Sequence, residues 1–444
     1  MSVYFCAITF FAPASEGWAA RDRAGGVVVG YSVEMTNPPH RSAVADRLSR
    51  FGTTIFTEMT RLAQQNDAVN LAQGFPDFDG PEFVKDAAIA AIRNGRGQYA
   101  RMTGEPALNR AIAANWKRRA GIDVDPDTQV TVTSGCTEAI AATMLGLLNL
   151  GDRVVLFEPY YDSYRAAVEM AGAVPIFVTL RPPVVHASES SSRIVDRAFE
   201  FDEFELRRAF EQRPTAILVN TPHNPTGKVF TREELSLISS LCVEFGVVAI
   251  TDEVYERLTY RADRPHISLA GLPGMSERTI TLSSLGKTFS LTGWKIGWAI
   301  ASPALSACVR AAHQFLTFAT ATPLQVGAAA ALNDGETYVA ELALDYATKR
   351  AFLAEALASM SMRVFMPEGT YFVMVDHSAV SARLGLTDDV AFCRYLTQTV
   401  RVAAIPPSVF YSEPSRGRSL ARFAFCKKQA TLDEAVKRLG VLRV

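Results

Sequence analysis

From residue 128 onward, apolar runs alternate with stretches of helical period. The runs QVTVTSG (129–135), RVVLFEP (153–159), VPIFVTL (174–180), AILVNTP (216–222), VVAITDE (247–253), TITLSS (279–284) and GWAIAS (297–302) are rich in Val, Ile and Thr. Most lack polar alternation, which marks strands buried on both faces, as in a mostly parallel sheet covered by helices. Helical stretches such as TEAIAATMLGLLNLG and TREELSLISSLCVEFG lie between them. The second opens at Thr231 with Glu234 three residues on, a capping box, and Gly246 stands just past its end. The pattern predicts an α/β fold built on a mostly parallel seven-stranded sheet.

The tail reads differently. A helix, ETYVAELALDYATKRAFLAEALA, precedes the short strands in MRVFMPEGTYFVMVD, VRVAAIPPSVF and SLARFAFCKKQ. This predicts a large domain over residues 85–334 and a smaller α+β domain over 335–444. The segment 46–84 has no partner of its own and is expected to pack on the smaller domain. VVHASESSSRIVDR (184–197) reads as a surface loop. Residues 1–45 read as an N-terminal extension, disordered or a non-native start. Its first 34 residues have a short apolar run without the basic start of a secretory signal, too short to span a bilayer.

The polar residues fall at the carboxyl ends of the strands: Ser134-Gly135, Glu158-Pro159, Asn220-Thr221, Asp252-Glu253 and Ser283-Ser284. Ligands of open α/β sheets sit outside those ends, so five such clusters imply one composite site. A net charge of −1 over 444 residues offers no electrostatic footprint for nucleic acid or an anionic membrane. Six scattered cysteines, with no CxxC, argue against a disulfide framework or a zinc site and fit a reducing cytoplasm.

SSLGKTFSLTGWKIGW (283–298) places Lys287 and Lys295 among small, hydroxylated and aromatic residues. GKT could close a phosphate-binding P-loop, but that motif needs Gly at 281, where Thr stands. The alternative is a desolvated amine that attacks a carbonyl to form a Schiff base. Alone, Lys287 would read as a surface lysine; its company changes that. Asp252 ends a buried strand, where an acid needs a partner, and could meet the protonated ring nitrogen of pyridoxal phosphate. Tyr255 and Asn224 could reach the ring's 3-oxygen, although an N-cap and a proline-bracketed turn are the ordinary explanations of Asp252 and Asn224. Backbone N–H groups of Gly135, Cys136 and Thr137, at a strand–turn–helix junction, suit a phosphate, with Ser284 and Lys295 in support. Tyr161 could stack on the ring, and Tyr160 fits the spacing as well. Arg422, alone among apolar residues, suits bidentate capture of a carboxylate or, equally, an edge facing water.

Together, NLAQGFPDFDGP, GQYARMTG, SGCTEA, EPYYDSY, NTPHNPTGK, TDEVYE, SLGKTFSLTGWKIGW and ARFAFCK, in this order, give a chain that resembles the fold-type I, pyridoxal-phosphate-dependent aminotransferases of class I/II. Within them it is similar to the group of methionine and kynurenine–glutamine aminotransferases, over residues 46 to 440. The resemblance implies that Lys287 binds the cofactor aldehyde and shuttles the proton, with Asp252 at the ring nitrogen and Asn224 and Tyr255 at the 3-oxygen. It implies that Arg422 holds the substrate α-carboxylate, assisted by the backbone of Gly74. Tyr99 matches a tyrosine that a neighbouring subunit lends to the phosphate, which implies a homodimer with shared sites. The partners implied are an amino acid and a 2-oxo acid, with no metal, nucleic acid or membrane.

Two departures stand out. Family members usually carry proline where this chain has Arg101. Kynurenine enzymes typically have histidine after the phenylalanine matching Phe318, where this chain has Ala319. That favours a large uncharged donor such as methionine, with aromatic amino acids and glutamine as further donors and Phe75, Phe78 and Phe318 as candidate pocket walls. Kynurenine–oxoglutarate transamination and β-elimination from cysteine S-conjugates are the alternatives. A pyridoxal-sensing regulator would need DNA-binding helices that residues 1–45 do not suggest.

Overall fold

In a computed structural model, which describes residues 44–184 and 193–443, the seven apolar runs become the strands of one sheet. They are β1 (Val130–Thr133), β2 (Arg153–Glu158), β3 (Val174–Thr179), β4 (Ala216–Asn220), β5 (Val248–Asp252), β6 (Thr279–Ser284) and β7 (Gly297–Ile300). The spatial order is β1-β7-β6-β5-β4-β2-β3. β7 runs antiparallel to both neighbours, and the remaining pairs are parallel. Successive residues of each strand feed opposite apolar layers, which is why the sequence shows no polar alternation. Val154, Leu156, Leu218, Ile250 and Leu282 pack in one layer; Val155, Phe157, Ile217, Val219 and Ala249 pack in the other. Each such aliphatic side chain contributes roughly 1.5–3 kcal/mol on burial, so neither face can be left wet.

Helices close both layers. The helix Arg232–Phe245 carries the expected capping box between Thr231 and Glu234, and Gly246 ends it at φ 71°. The helix Gly135–Leu147 starts directly after β1. It therefore sets its N-terminus, with unpaired N–H groups, at the edge where the strands end.

The C-terminal part begins with the helix Glu336–Ser359. It includes a four-stranded sheet of Leu420–Ala424, Phe372–Asp376, Arg363–Phe365 and Ile194–Val195. Ile194–Val195 pairs with Val364–Phe365, so the stretch 184–197 is not wholly a loop. Two β-branched residues at its end suffice to extend an open sheet edge; residues 185–192 lie outside the described residues. Val69–Asn70 pairs parallel with Val402–Ala403. Met59, Leu62 and Leu71 join the apolar cluster of Tyr346, Leu353, Phe423 and Phe425. The chain from Asp46 onward forms one compact unit, and the expected extension lies almost wholly outside the described residues. No helix among the described residues is long and apolar enough to cross a membrane.

Candidate active site

The carboxyl ends of β1, β4, β5 and β6 open into a cleft of about 470 Å³. Asp252, the last residue of β5, lies at its floor and is only 4% exposed. The Tyr164 hydroxyl donates to its Oδ2 at 2.7 Å and the Val254 N–H to its Oδ1 at 3.2 Å. Burial pushes the Asp252 carboxyl above its ordinary range; the Tyr164, Val254 and Cys136 hydrogen bonds and Lys287 act against it. A buried carboxyl held up in this way fits a cationic partner. Beside it, Asn220 at the end of β4 donates to the Asp252 carbonyl at 2.8 Å and accepts the Asn224 N–H at 2.7 Å. This places Asn224 on the same wall.

Lys287 stands on the short helix Leu285–Thr288, which follows β6 without a linker. Its Nζ lies 3.4 Å from the Gly74 carbonyl, and 5.9 and 5.8 Å from the ring centres of Tyr255 and Tyr371. Burial pulls the Lys287 ammonium below its ordinary range, and the Arg422 charge adds to this against Asp252. The amine therefore gives up its proton more readily than a surface lysine. Burial acts the other way on Tyr255 and keeps its phenol protonated, a donor.

At the β1–helix junction Gly135 has φ 77°, a left-handed conformation that glycine adopts without strain. A Cβ on Gly135 would lie 3.4 Å from Lys295 Nζ, so this ammonium stands over the helix N-terminus. A Cβ on Gly297 would come within 2.5 Å of the Gly135 carbonyl carbon and 2.6 Å of the Cys136 nitrogen, so only glycine lets β7 back this turn. Glu138 braces it: its carboxylate accepts the Ser134 N–H at 2.5 Å and faces His313 Nδ1 at 2.6 Å. The result is an anion cup of N–H groups, Thr137, Ser284 and Lys295.

Arg422 is 1% exposed and points away from water, which settles its alternative reading. Its Nη1 donates to Asn224 Oδ1 at 2.9 Å and its Nη2 to the Ala72 carbonyl at 3.0 Å, while its Nε has no hydrogen-bond partner among the described residues. The guanidinium lies 4.1 Å from the Phe372 ring centre. Burial lowers its pKa to about 10, so it remains cationic at neutral pH.

Gly74, Gly135, Cys136, Thr137, Tyr161, Asn224, Asp252, Tyr255, Ser284, Lys287, Lys295 and Arg422 all line this one cleft. Tyr160 does not; it stacks on Phe177 with ring centres 5.4 Å apart. Of the suggested apolar walls only Phe75 lines the cleft, joined by Phe56 and Phe372; Phe78 and Phe318 do not. Tyr99 lies outside it, 85% exposed, with its ring edge-on to Phe318 at 5.6 Å. Glu158 also serves elsewhere, accepting the Ser412 N–H at 2.6 Å and pairing with Arg416. Arg101, unexplained by the sequence, pairs with Asp127 at 3.0 Å and donates to the Gly104 carbonyl. Tyr164 and Tyr371 were missed, because neither is a charge and nothing in its local sequence marks which way its hydroxyl points.

The donor set fits pyridoxal phosphate. An amine, a buried carboxylate, a phenol donor and an anion cup converge on one cavity, and a separate guanidinium remains for a carboxylate.

Comparison with known proteins agrees. The family model of aminotransferase class I and II matches residues 66–439. The "Probable N-succinyldiaminopimelate aminotransferase DapC" of Mycobacterium tuberculosis is 45% identical over 405 residues, covering 89% of this chain and 98% of that protein. The methionine aminotransferase of Escherichia coli is 39% identical over 408 residues, covering 92% of this chain and all of that protein (100%). The solved structure of N-succinyldiaminopimelate aminotransferase from M. tuberculosis superimposes with a TM-score of 0.84, covering 90% of this chain and 100% of that one.

Proposed function

The chain belongs to the class I and II aminotransferases, which depend on pyridoxal phosphate, and from that premise we propose that it transfers the α-amino group of a large uncharged amino acid, methionine-like, to a 2-oxo acid. The observation that carries the reading is the convergence of Lys287, Asp252 and Arg422 on one cleft whose walls include the apolar Phe56, Phe75 and Phe372 beside Thr54, Gln73 and Asp162. When bound, pyridoxal phosphate supplies the electron sink that makes the substrate α-proton acidic and carries the amino group between the two half-reactions.

The chain's own residues do the rest. Gly135, Cys136, Thr137, Ser284 and Lys295 hold the phosphate, and Tyr161 covers the ring. Asp252 keeps the ring nitrogen protonated; Asn224 and Tyr255 donate to the 3-oxygen. Arg422 takes the α-carboxylate, with the Gly74 backbone beside it, and so fixes which bond at the α-carbon faces Lys287. Lys287 Nζ, its proton affinity lowered by burial, takes up the α-proton. Each substrate enters the same cleft in turn, so the kinetics are ping-pong.

We place the working unit as a homodimer in which the partner's Tyr99 completes the phosphate site. The exposed Tyr99 and Phe318, with Phe315 at 87% exposure, support an apolar face that a second copy would cover. A second reading takes its support from the 45% identical relative: an N-succinylated diaminopimelate as substrate.

The test is a panel of amino donors, methionine, aromatic amino acids, glutamine, kynurenine and N-succinyldiaminopimelate, against 2-oxo acids. Parallel double-reciprocal plots and preference for methionine are expected; preference for the succinylated substrate establishes the second reading. Borohydride should fix the cofactor to Lys287, and Lys287→Ala should lower turnover by ~10²–10⁴-fold or more. A Lys287→Ala variant that keeps wild-type turnover overturns the proposal.

A further inference from the structure

Four consecutive backbone carbonyls, those of residues 72–75, are held by side chains from the C-terminal part of the chain. Arg422 Nη2 donates to the Ala72 carbonyl at 3.0 Å, and the Tyr371 hydroxyl to that of Gly74 at 2.6 Å. Lys427 Nζ donates to the carbonyls on either side of Gly74: to Gln73 at 3.2 Å and to Phe75 at 2.7 Å. Arg422 lines the cleft, but Lys427 does not; it is 3% exposed and grips the segment from behind. It makes no ion pair among the described residues, and its Nζ lies 4.9 Å from the Phe75 ring centre. A buried ammonium without a counter-ion is costly, so the two carbonyls are its compensation.

The segment it grips carries site groups. Phe75 is a cleft wall, and Gly74 borders both Lys287 and the Phe372 ring beneath Arg422. A Cβ on Gly74 would lie 2.5 Å from that ring, so the backbone rests directly on it with no slack. Farther on, Asp77 accepts from the Lys428 N–H and the Thr431 hydroxyl, both at 2.6 Å, which anchors the outer end of the segment.

We propose that Lys427 is a positioning residue for substrate binding: by clamping the carbonyls of Gln73 and Phe75 it holds the Gly74 backbone and the Phe75 wall in register with Arg422. This rests on the reading of the cleft as an amino-acid site. Removing the ammonium leaves two carbonyls without their donor, and the segment between them then moves relative to Arg422. Lys287, Asp252 and the anion cup are built on other elements and keep their backbone places; Lys287 meets the segment only through the long 3.4 Å contact of its Nζ with the Gly74 carbonyl.

The experiment uses the cofactor-loaded enzyme and its Lys427→Met and Lys427→Arg variants. Two constants are read: KM for L-methionine with a monocarboxylic 2-oxo acid, and the Kd of the unreactive acid 3-phenylpropionate followed by visible absorbance. In Lys427→Met both should rise about tenfold or more while kcat changes less than about threefold, the signature of lost binding rather than lost chemistry. Borohydride fixation at Lys287 should be unchanged, and Lys427→Arg should recover most of both constants. The proposal is overturned if both constants stay within about twofold of wild type in Lys427→Met. It is equally overturned if Lys427→Arg recovers nothing, or if Lys287 fixation and thermal stability fall together with binding, which marks a general structural loss. An insoluble Lys427→Met is replaced by Lys427→Gln under the same criteria. A wild-type enzyme that turns over no amino donor counts against the proposed function, and the binding of 3-phenylpropionate still decides the role of Lys427.

Discussion

Arg422 could be picked out in the sequence as a charge inside an apolar run and Asp252 as an acid that ends one, where desolvation demands a reason, and Lys287 by the company it keeps. Tyr164 and Tyr371 could not, since neither is a charge and nothing local marks which way its hydroxyl points. Yet the Tyr164 hydroxyl donates directly to the Asp252 carboxylate, at 2.7 Å. A hydrogen bond to a charged group is worth roughly 1.5–3 kcal/mol. Tyr164→Phe should therefore weaken cofactor affinity or kcat by about ten- to a hundredfold, read by spectral titration and initial rates. Less than a threefold change in both would show that Asp252 needs no support from Tyr164.

At the scale of elements, the site is made by abrupt junctions. β1 passes into the helix Gly135–Leu147, and β6 into Leu285–Thr288, so strand-end groups and helix N–H groups share one edge. The glycine at 297 permits this where β7 backs the first turn. In Gly297→Ala the new methyl meets the backbone of Gly135 and Cys136, which cannot swing aside as a side chain would. We expect cofactor affinity to drop by about tenfold or more, ~1.4 kcal/mol, measured as the Kd for pyridoxal phosphate; an unaltered Kd would show that the cup can shift at no cost. Thr231→Ala is the contrasting case. It breaks the capping box on the helix Arg232–Phe245, none of whose residues lines the cleft. It should cost about 1 kcal/mol of stability in denaturant unfolding and leave kcat/KM unchanged.

For the molecule as a whole, acid stability has an identifiable source. His223 and His377 are 1% and 2% exposed. Burial, with the Lys228 charge acting on His223, lowers their pKa values to about 3 and about 4 from the ordinary 6.5. The unfolded chain binds their protons below about pH 6.5 while the folded chain does not. Their contribution is thus complete above pH 6.5 and is lost as pH falls toward 4, by about 2 kcal/mol each at pH 5. His313 has the opposite sign: burial opposes its charge, but Glu138 outweighs that and raises its pKa, which favours the folded state on acidification. The apparent Tm should fall between pH 7 and pH 5, and should fall less in His377→Leu. An equal drop in both proteins would remove His377 from the account.

Asp162 aside, local sequence was enough for the seven buried strands, the capped helix and the charged residues of the cleft. These follow from local periodicity and from the cost of burying charge, and both are properties of a residue and its near neighbours. The choice between Tyr160 and Tyr161, the clamp of Glu158 with Arg416, the addition of Ile194–Val195 to the C-terminal sheet and the seat of Lys427 behind Gly74, more than three hundred residues away, came from packing between distant segments. Those outcomes depend on which elements meet in space. Contacts between segments far apart in the chain leave no periodic trace in either one.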